Sequence, residues 1–210
     1  RDLETEMSKV KEELAHLRDQ HIQIDGSAME SQSSARAIKT ALKMARIDVP
    51  IVIQGERGVG KTTLAKFVHS KSNRSDGPFI EVNCGTIPET VFEIAFTGNK
   101  DSMSQGYLSL ADGGSLVLKE IEQLTLSSQT ILFNLLNNQE STRIIALSET
   151  PLDLLVKQGT LHEDLFYLLH IAPIQLKPLR ERAEDLDKAI NLFMQKLIKK
   201  YNESKKISDD

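Results

Sequence analysis

The stretch VPIVIQGERGVGKTTLAKFVH, residues 49–69, constrains this chain more than any other. Residues 49–53 are a short apolar, β-branched run, the pattern of a buried strand. Gly55, Glu56, Arg57, Gly58, Val59, Gly60, Lys61 and Thr62 follow at once and fit the phosphate-binding loop G-x(4)-G-K-S/T. Leu64, Ala65, Phe67 and Val68 then recur at helical spacing. Strand, glycine loop and helix are the context this motif requires. The glycines let successive backbone N–H groups turn inward onto a phosphate chain. The helix N-terminus adds its partial positive charge. Lys61 is placed to neutralise β- and γ-phosphates, and the Thr62 hydroxyl to ligate Mg²⁺, with Thr63 beside them. The plain alternative, a glycine-rich βα turn that binds nothing, is disfavoured by the full octapeptide in this setting.

The chain has 210 residues, the size of one domain or of one domain with an appendage. Its net charge of −4 leaves no electrostatic footprint for nucleic acid, so DNA contact requires a module outside this chain. The single cysteine, Cys84, excludes an internal disulfide and suits a reducing cytoplasm. No apolar run reaches membrane-spanning length and no signal peptide heads the chain. Both ends read as cuts in a longer polypeptide. The five histidines show no metal-ligand spacing.

Residues 1–24 lack Gly and Pro. Met7, Val10, Leu14, Leu17, His21 and Ile24 alternate at spacings of three and four, with Leu3 at the preceding position. This short heptad seam predicts a coiled-coil-like linker helix that dimerises, or an amphipathic helix packed on its own domain. A helix follows over 35–45. Further strands are expected at 79–83, 115–118, 142–147 and 171–176. Helices are expected at 88–94, 126–136, 152–156, 163–169 and 185–201, and residues 99–105 read as a polar loop. Strands alternating with helices imply an α/β fold with a parallel five-stranded sheet covered on both faces. Cys84 follows the second strand without a basic neighbour, so a small buried residue is expected there rather than a nucleophile.

The segments QGERGVGKTTLAKFVH, GPFIEVNCGTIP, LADGGSLVLKEIEQL, TRIIAL and HEDLFYLLHIAPIQLKPLRERAEDL, in this order, resemble the AAA+ domain of bacterial sigma-54-dependent transcription activators of the nitrogen-regulator type. The likeness runs from about residue 26 to residue 186. It implies a P-loop NTPase αβα sandwich at 25–180 and the beginning of a helical lid at 181–210. In that family a ring of subunits hydrolyses ATP to remodel the polymerase bound to sigma-54.

Several departures from the family stand out. Its Walker B strand ends in Asp-Glu, the Asp helping to hold Mg²⁺ and the Glu orienting the attacking water. Here Lys119 replaces the Asp, and Glu120 keeps the water-activating type. In the family's sheet order we expect Lys119 beside the first strand, close to Thr62 and within reach of phosphate or metal. Mg²⁺ is therefore left open beside ATP or ADP. The family's two finger arginines correspond to His162 and Leu168. Such a finger contributes on the order of 10³–10⁵ in rate. The sensor segment, Thr-Asn in the family, reads Ser148-Glu149. Ser148 could orient a water, whereas Glu149 would repel phosphate. The run Ala95-Phe96-Thr97-Gly98 imitates the family's sigma-54-contacting GAFTGA loop. Counting from Cys84 instead puts Phe96 at the family's ELFG, with the loop tip deleted and AFTG an ordinary helix-end turn. The hairpin that the family inserts before the fourth strand is also missing.

These residues predict a nucleotide-binding regulatory module with weak or absent hydrolysis, without sigma-54 remodelling. The alternatives are an active AAA+ ATPase driving transcription through RNA polymerase, with other residues covering the losses, and a scaffold that binds no nucleotide. Expected partners are a second copy through residues 1–24, with a ring left open, and RNA polymerase or a sigma factor through the parent protein.

Overall fold

The computed structural model describes residues 31–99, 104–137 and 139–201. The heptad seam and residues 100–103 lie outside the described residues. Five parallel strands form the central sheet: β1 (Ile51–Gln54), β2 (Phe79–Asn83), β5 (Ser115–Lys119), β6 (Arg143–Ser148) and β7 (Ala172–Gln175). Their order is β2-β5-β6-β1-β7. Parallel strands need crossover connections, and these supply the flanking helices.

The sheet's two faces follow from the two-residue period of a strand. Ile51, Ile53, Val117, Ile145 and Leu147 point to one face and pack on α1 (Gln32–Ala45) and α2 (Lys61–Ser70), through Ala37, Ala41, Leu64, Ala65 and Val68. Val52, Leu116, Leu118, Ile144 and Ala146 point to the other. There they meet α3 (Phe92–Thr97), α5 (Leu126–Asn137), α6 (Leu152–Lys157) and α7 (Glu163–Leu169). Each fully buried Leu, Ile or Phe stabilises by about 1.5–3 kcal/mol relative to exposure. Arg143 is a buried charged residue at the start of β6. Its guanidinium donates to the carbonyls of Ala45, Met44 and Ile47 at 3.0, 2.6 and 3.1 Å, closing the C-terminus of α1.

The sheet order corrects one expectation. The third strand of the sheet, β5, does not lie beside the first: β6 separates them, paired with β5 on one side and β1 on the other. Lys119 therefore faces the glycine loop across the end of β6. The expected helix at 88–94 is a 3-10 turn, Glu89–Val91, leading into α3. Ala95, Phe96 and Thr97 form the last turn of α3, and Gly98 closes it at φ +82°, a conformation glycine adopts without strain. The expected polar loop carries a short antiparallel ribbon, β3 (Gly98–Asn99) with β4 (Ser104–Gln105), before α4 (Tyr107–Leu110). After β7 a 3-10 turn, Ala183–Asp185, opens α8 (Leu186–Tyr201).

Candidate nucleotide site

The loop between β1 and α2 lies at the C-terminal edge of the sheet, where open α/β folds bind ligands. Gly60 caps α2 in the left-handed region at φ +103°. Gly55, at φ +151°, passes against the end of β7, where a Cβ would stand 2.5 Å from the Leu176 carbonyl. The Lys61 ammonium donates to the Gly55 and Glu56 carbonyls at 2.6 and 3.0 Å. Burial pulls its pKa down, and the charges of Glu149, Glu122 and Glu120 pull it partly back.

The cleft beside this loop has a volume of about 320 Å³. Arg57, Gly58, Gly60, Lys61, Thr62 and Thr63 line one wall, and Lys119, Glu120, Glu122, Leu147 and Glu149 line the other. Of the residues expected to bind phosphate, Gly55, Glu56 and Val59 do not line the cleft. Gly55 holds the edge of the sheet through its N–H to the Ser148 carbonyl at 3.1 Å. Val59 is buried in the core. Glu56 is exposed and makes a two-point ion pair with Arg180, at 2.7 and 2.5 Å.

Lys119 leans toward β2. Its ammonium is 3.5 Å from Glu81, whose other carboxylate oxygen holds Lys66 at 3.2 Å. Glu120, next to it, is the only non-glycine residue with positive φ among the described residues, at +58°. A glutamate in this region is strained by about 1–3 kcal/mol, and such residues cluster at functional sites. Gly85 leaves room for its carboxylate, since a Cβ there would lie 3.2 Å from Glu120 Oε2.

Ser148 is fully buried and does not line the cleft. Its single hydroxyl proton is shared between the Thr150 carbonyl at 2.6 Å and Glu122 Oε2 at 2.9 Å. Glu122 Oε1 accepts the Glu149 backbone N–H at 3.0 Å. Any influence of Ser148 on the cleft therefore runs through Glu122, a residue the sequence did not single out. Its one sequence signal is a second acid two positions beyond Glu120 at the mouth of the same strand. Cys84 is buried, and burial pushes its thiol up to about 12, as expected of a structural cysteine.

Behind the loop lies a polar cluster that sequence reading also missed. Asp185 accepts from the Ser31 N–H at 2.6 Å, the Ser31 hydroxyl at 3.0 Å and the Ser34 hydroxyl at 2.5 Å. Arg182 stands 3.5 Å from Asp185 and donates to the Val59 carbonyl at 2.9 Å. The start of α1, the glycine loop and the turn before α8 are thus tied together. Burial opposes charge on Asp185, but the hydrogen bonds from Ser34 and Ser31, with Arg182, outweigh it and hold the carboxyl below its ordinary range.

His162 and Leu168 lie away from this cleft. His162 is exposed at the N-terminus of α7. Leu168 lines a larger hollow, about 580 Å³, with Val49, Pro50, Arg143, Tyr167 and Ile171 at the other edge of the sheet. None of the residues that line that hollow belongs to the glycine loop.

A five-stranded parallel sheet with a glycine loop between its first strand and first crossover helix defines a P-loop NTPase of AAA+ architecture. The chain belongs to the family described as the Sigma-54 interaction domain, whose model matches residues 27–175. The regulatory protein AtoC of Escherichia coli is 37% identical over 178 residues, covering 75% of this chain and 38% of AtoC. An uncharacterized protein in the HyuA 5' region of a Pseudomonas species is 36% identical over 212 residues, covering 91% of this chain and 70% of that protein. The structure of NtrX from Brucella abortus in complex with ADP superposes with a TM-score of 0.84 at 28% identity, covering 98% of this chain and 50% of NtrX. The same protein in complex with ATP gives 0.81. This chain thus spans well under two thirds of the length of AtoC and of NtrX. No helix among the described residues is long and apolar enough to cross a membrane.

Proposed function

We propose that this is the nucleotide-binding domain of a bacterial transcription regulator, in which ATP or ADP is a regulatory ligand with little or no hydrolysis. The carrying observation is the pairing of a complete phosphate loop with a strand wall headed by Lys119. The relation to NtrX, solved in complex with ADP and with ATP, supports nucleotide as the ligand class. The loop amides, Lys61 and Thr62 would hold the phosphates, with Thr63 and Lys119 nearby. A bound nucleotide contributes a polyphosphate that cross-links loop and strand wall and so orders the domain. Lys119 supplies a positive charge where the family expects the metal-side carboxylate, so Mg²⁺ is poorly held. Neither His162 nor Leu168 supplies a finger arginine. The short β3–β4 ribbon and the direct connection from α5 to β6 support a protein that does not remodel sigma-54 polymerase.

The remaining parts of this reading are a linker helix at 1–24, a nucleotide domain at 25–180 and the start of a lid at 181–210. Self-association runs through residues 1–24, and polymerase or a sigma factor is contacted through the parent protein. DNA is reached by a module outside this chain, and the compartment is the cytoplasm. Calorimetric titration of ATP and ADP, with and without Mg²⁺ and with phosphate release followed in parallel, tests the core of it. Saturable binding with weak Mg²⁺ dependence and almost no phosphate release is expected. No heat with either nucleotide would overturn it. Strong Mg²⁺-dependent turnover would favour a second reading, an active ATPase, for which the strained Glu120 on the cleft wall is the specific support.

A further inference from the structure

We propose that the cleft prefers a nucleoside diphosphate to a triphosphate, and that Glu122 sets this preference. The inference rests on the nucleotide-binding reading above. A P-loop lysine reaches the β- and γ-phosphates, while the loop amides cradle the α- and β-phosphates. Groups gathered around Lys61 are therefore the ones a terminal phosphate meets. Glu120, Glu122 and Glu149 share that wall, and each acts on the Lys61 ammonium by its charge.

What matters is which of these carboxylates can turn away. Glu149 is exposed and free to swing into solvent. Glu122 is half-buried and fixed at both oxygens, by the Ser148 hydroxyl at 2.9 Å and the Glu149 N–H at 3.0 Å. Ser148 is in turn fully buried at the end of a central strand, so the clamp has a rigid base. The nearest cation on the same wall, Lys119, is drawn off toward Glu81 at 3.5 Å. Lys61, Arg57 and the loop amides serve the phosphates that ADP and ATP share. The charge that only ATP carries is left facing a carboxylate that cannot withdraw. Ser148 is accordingly a positioning residue, acting through Glu122.

The test is isothermal titration of the full chain with ADP and with ATP, first in EDTA and then with Mg²⁺ in excess, for the unmodified protein and Glu122→Gln. ADP is expected to bind the unmodified protein roughly 30-fold more tightly than ATP, on the order of 2 kcal/mol, in both conditions. Glu122→Gln should bring ATP to within about threefold of ADP. Should Glu122→Gln fail to fold, Ser148→Ala, which removes one of the two bonds that hold the carboxylate, should narrow the difference in the same direction. Equal affinities, or tighter ATP, in the unmodified protein would overturn the preference while leaving nucleotide binding intact. Mg²⁺ making ATP the tighter ligand would also overturn it, because the carboxylates would then be holding metal. A preference that survives both substitutions would overturn the assignment to Glu122. Binding of neither nucleotide would overturn this inference and the reading beneath it together.

Discussion

The loop wall of the cleft and the strand wall facing it are anchored differently. Glycine conformations shape the loop, and the Arg182–Asp185 cluster braces it from behind through the Val59 carbonyl. Side-chain contacts between charged groups organise the strand wall: Lys119 with Glu81, and Glu122 with Ser148 and the Glu149 amide. The first wall follows the general design for holding phosphate. The second carries three carboxylates and a lysine where metal-assisted chemistry would need an Asp beside a metal. A fold can therefore keep a binding surface while the facing surface is rebuilt, because the two are stabilised by separate sets of contacts.

The separation is broken most strongly from behind the loop. Arg182→Ala removes the guanidinium beside buried Asp185 and frees the Val59 carbonyl, and removing one partner of a buried pair costs about 3–5 kcal/mol. A lower denaturation midpoint at unchanged slope would show it, and loss of nucleotide binding should accompany the loss of stability. Asp185 also makes the brace acid-sensitive. Its folded-state carboxyl titrates below the ordinary value, so its stabilisation is complete at neutral pH. That stabilisation fades as pH falls below about 3.9 and is gone once pH passes the folded-state value. Asp185→Asn should flatten the acid limb of the stability profile. An unchanged limb would mean that the brace carries no net energy.

Lys61→Ala comes next and acts on the loop wall alone. Hydrogen bonds to charged groups are worth about 1.5–3 kcal/mol, so nucleotide affinity should fall by roughly 10- to 100-fold. Lys61 donates to loop carbonyls, so the melting temperature should barely move. Retained affinity would transfer phosphate binding to the strand wall and erase the contrast between the two.

Much of this was legible in the sequence. The octapeptide at 55–62 and the two-residue period of strands such as 51–54 and 143–148 specify the loop and both sheet faces, since glycine stereochemistry and strand alternation are local rules. The strand wall was harder to read. Lys119 was visible as a departure, but its bond to Glu81 depends on β2 pairing with β5, and its distance from β1 on β6 lying between. Ser148 was expected to face a water and instead turns inward to Glu122. The Ser31–Ser34–Asp185 cluster joins residues about 150 positions apart, and no local pattern announces such a contact.

Lys119→Asp sharpens the contrast from the strand side with a smaller effect. An ammonium and a unit positive charge ~4 Å apart repel by roughly 4 kcal/mol at an effective dielectric of ~20, and a divalent ion doubles this. Replacing the ammonium with a carboxylate should make ATP binding depend on Mg²⁺. Hydrolysis should remain slow, because His162 and Leu168 still supply no finger. Fast turnover by Lys119→Asp would mean that Lys119 alone silences the site.

The smallest expected effect is that of Glu81→Gln, and it asks whether Lys119 belongs to the sheet or to the cleft. Glu81 holds Lys119 at 3.5 Å and Lys66 at 3.2 Å, with all three side chains about a third exposed. Pairs of this kind contribute about 0–1 kcal/mol after screening, so stability should change little. The consequence for the cleft has the opposite sign. Without Glu81 the contact that draws Lys119 toward β2 is lost, and its long stem can carry the ammonium over the cleft. Nucleotide affinity in EDTA should then rise by a few-fold, since a cation near a polyphosphate is attractive. The gain should shrink with added salt, as expected for a partly exposed charge. Affinity that stays constant would place Lys119 with the sheet, and the two walls would then differ through their carboxylates alone.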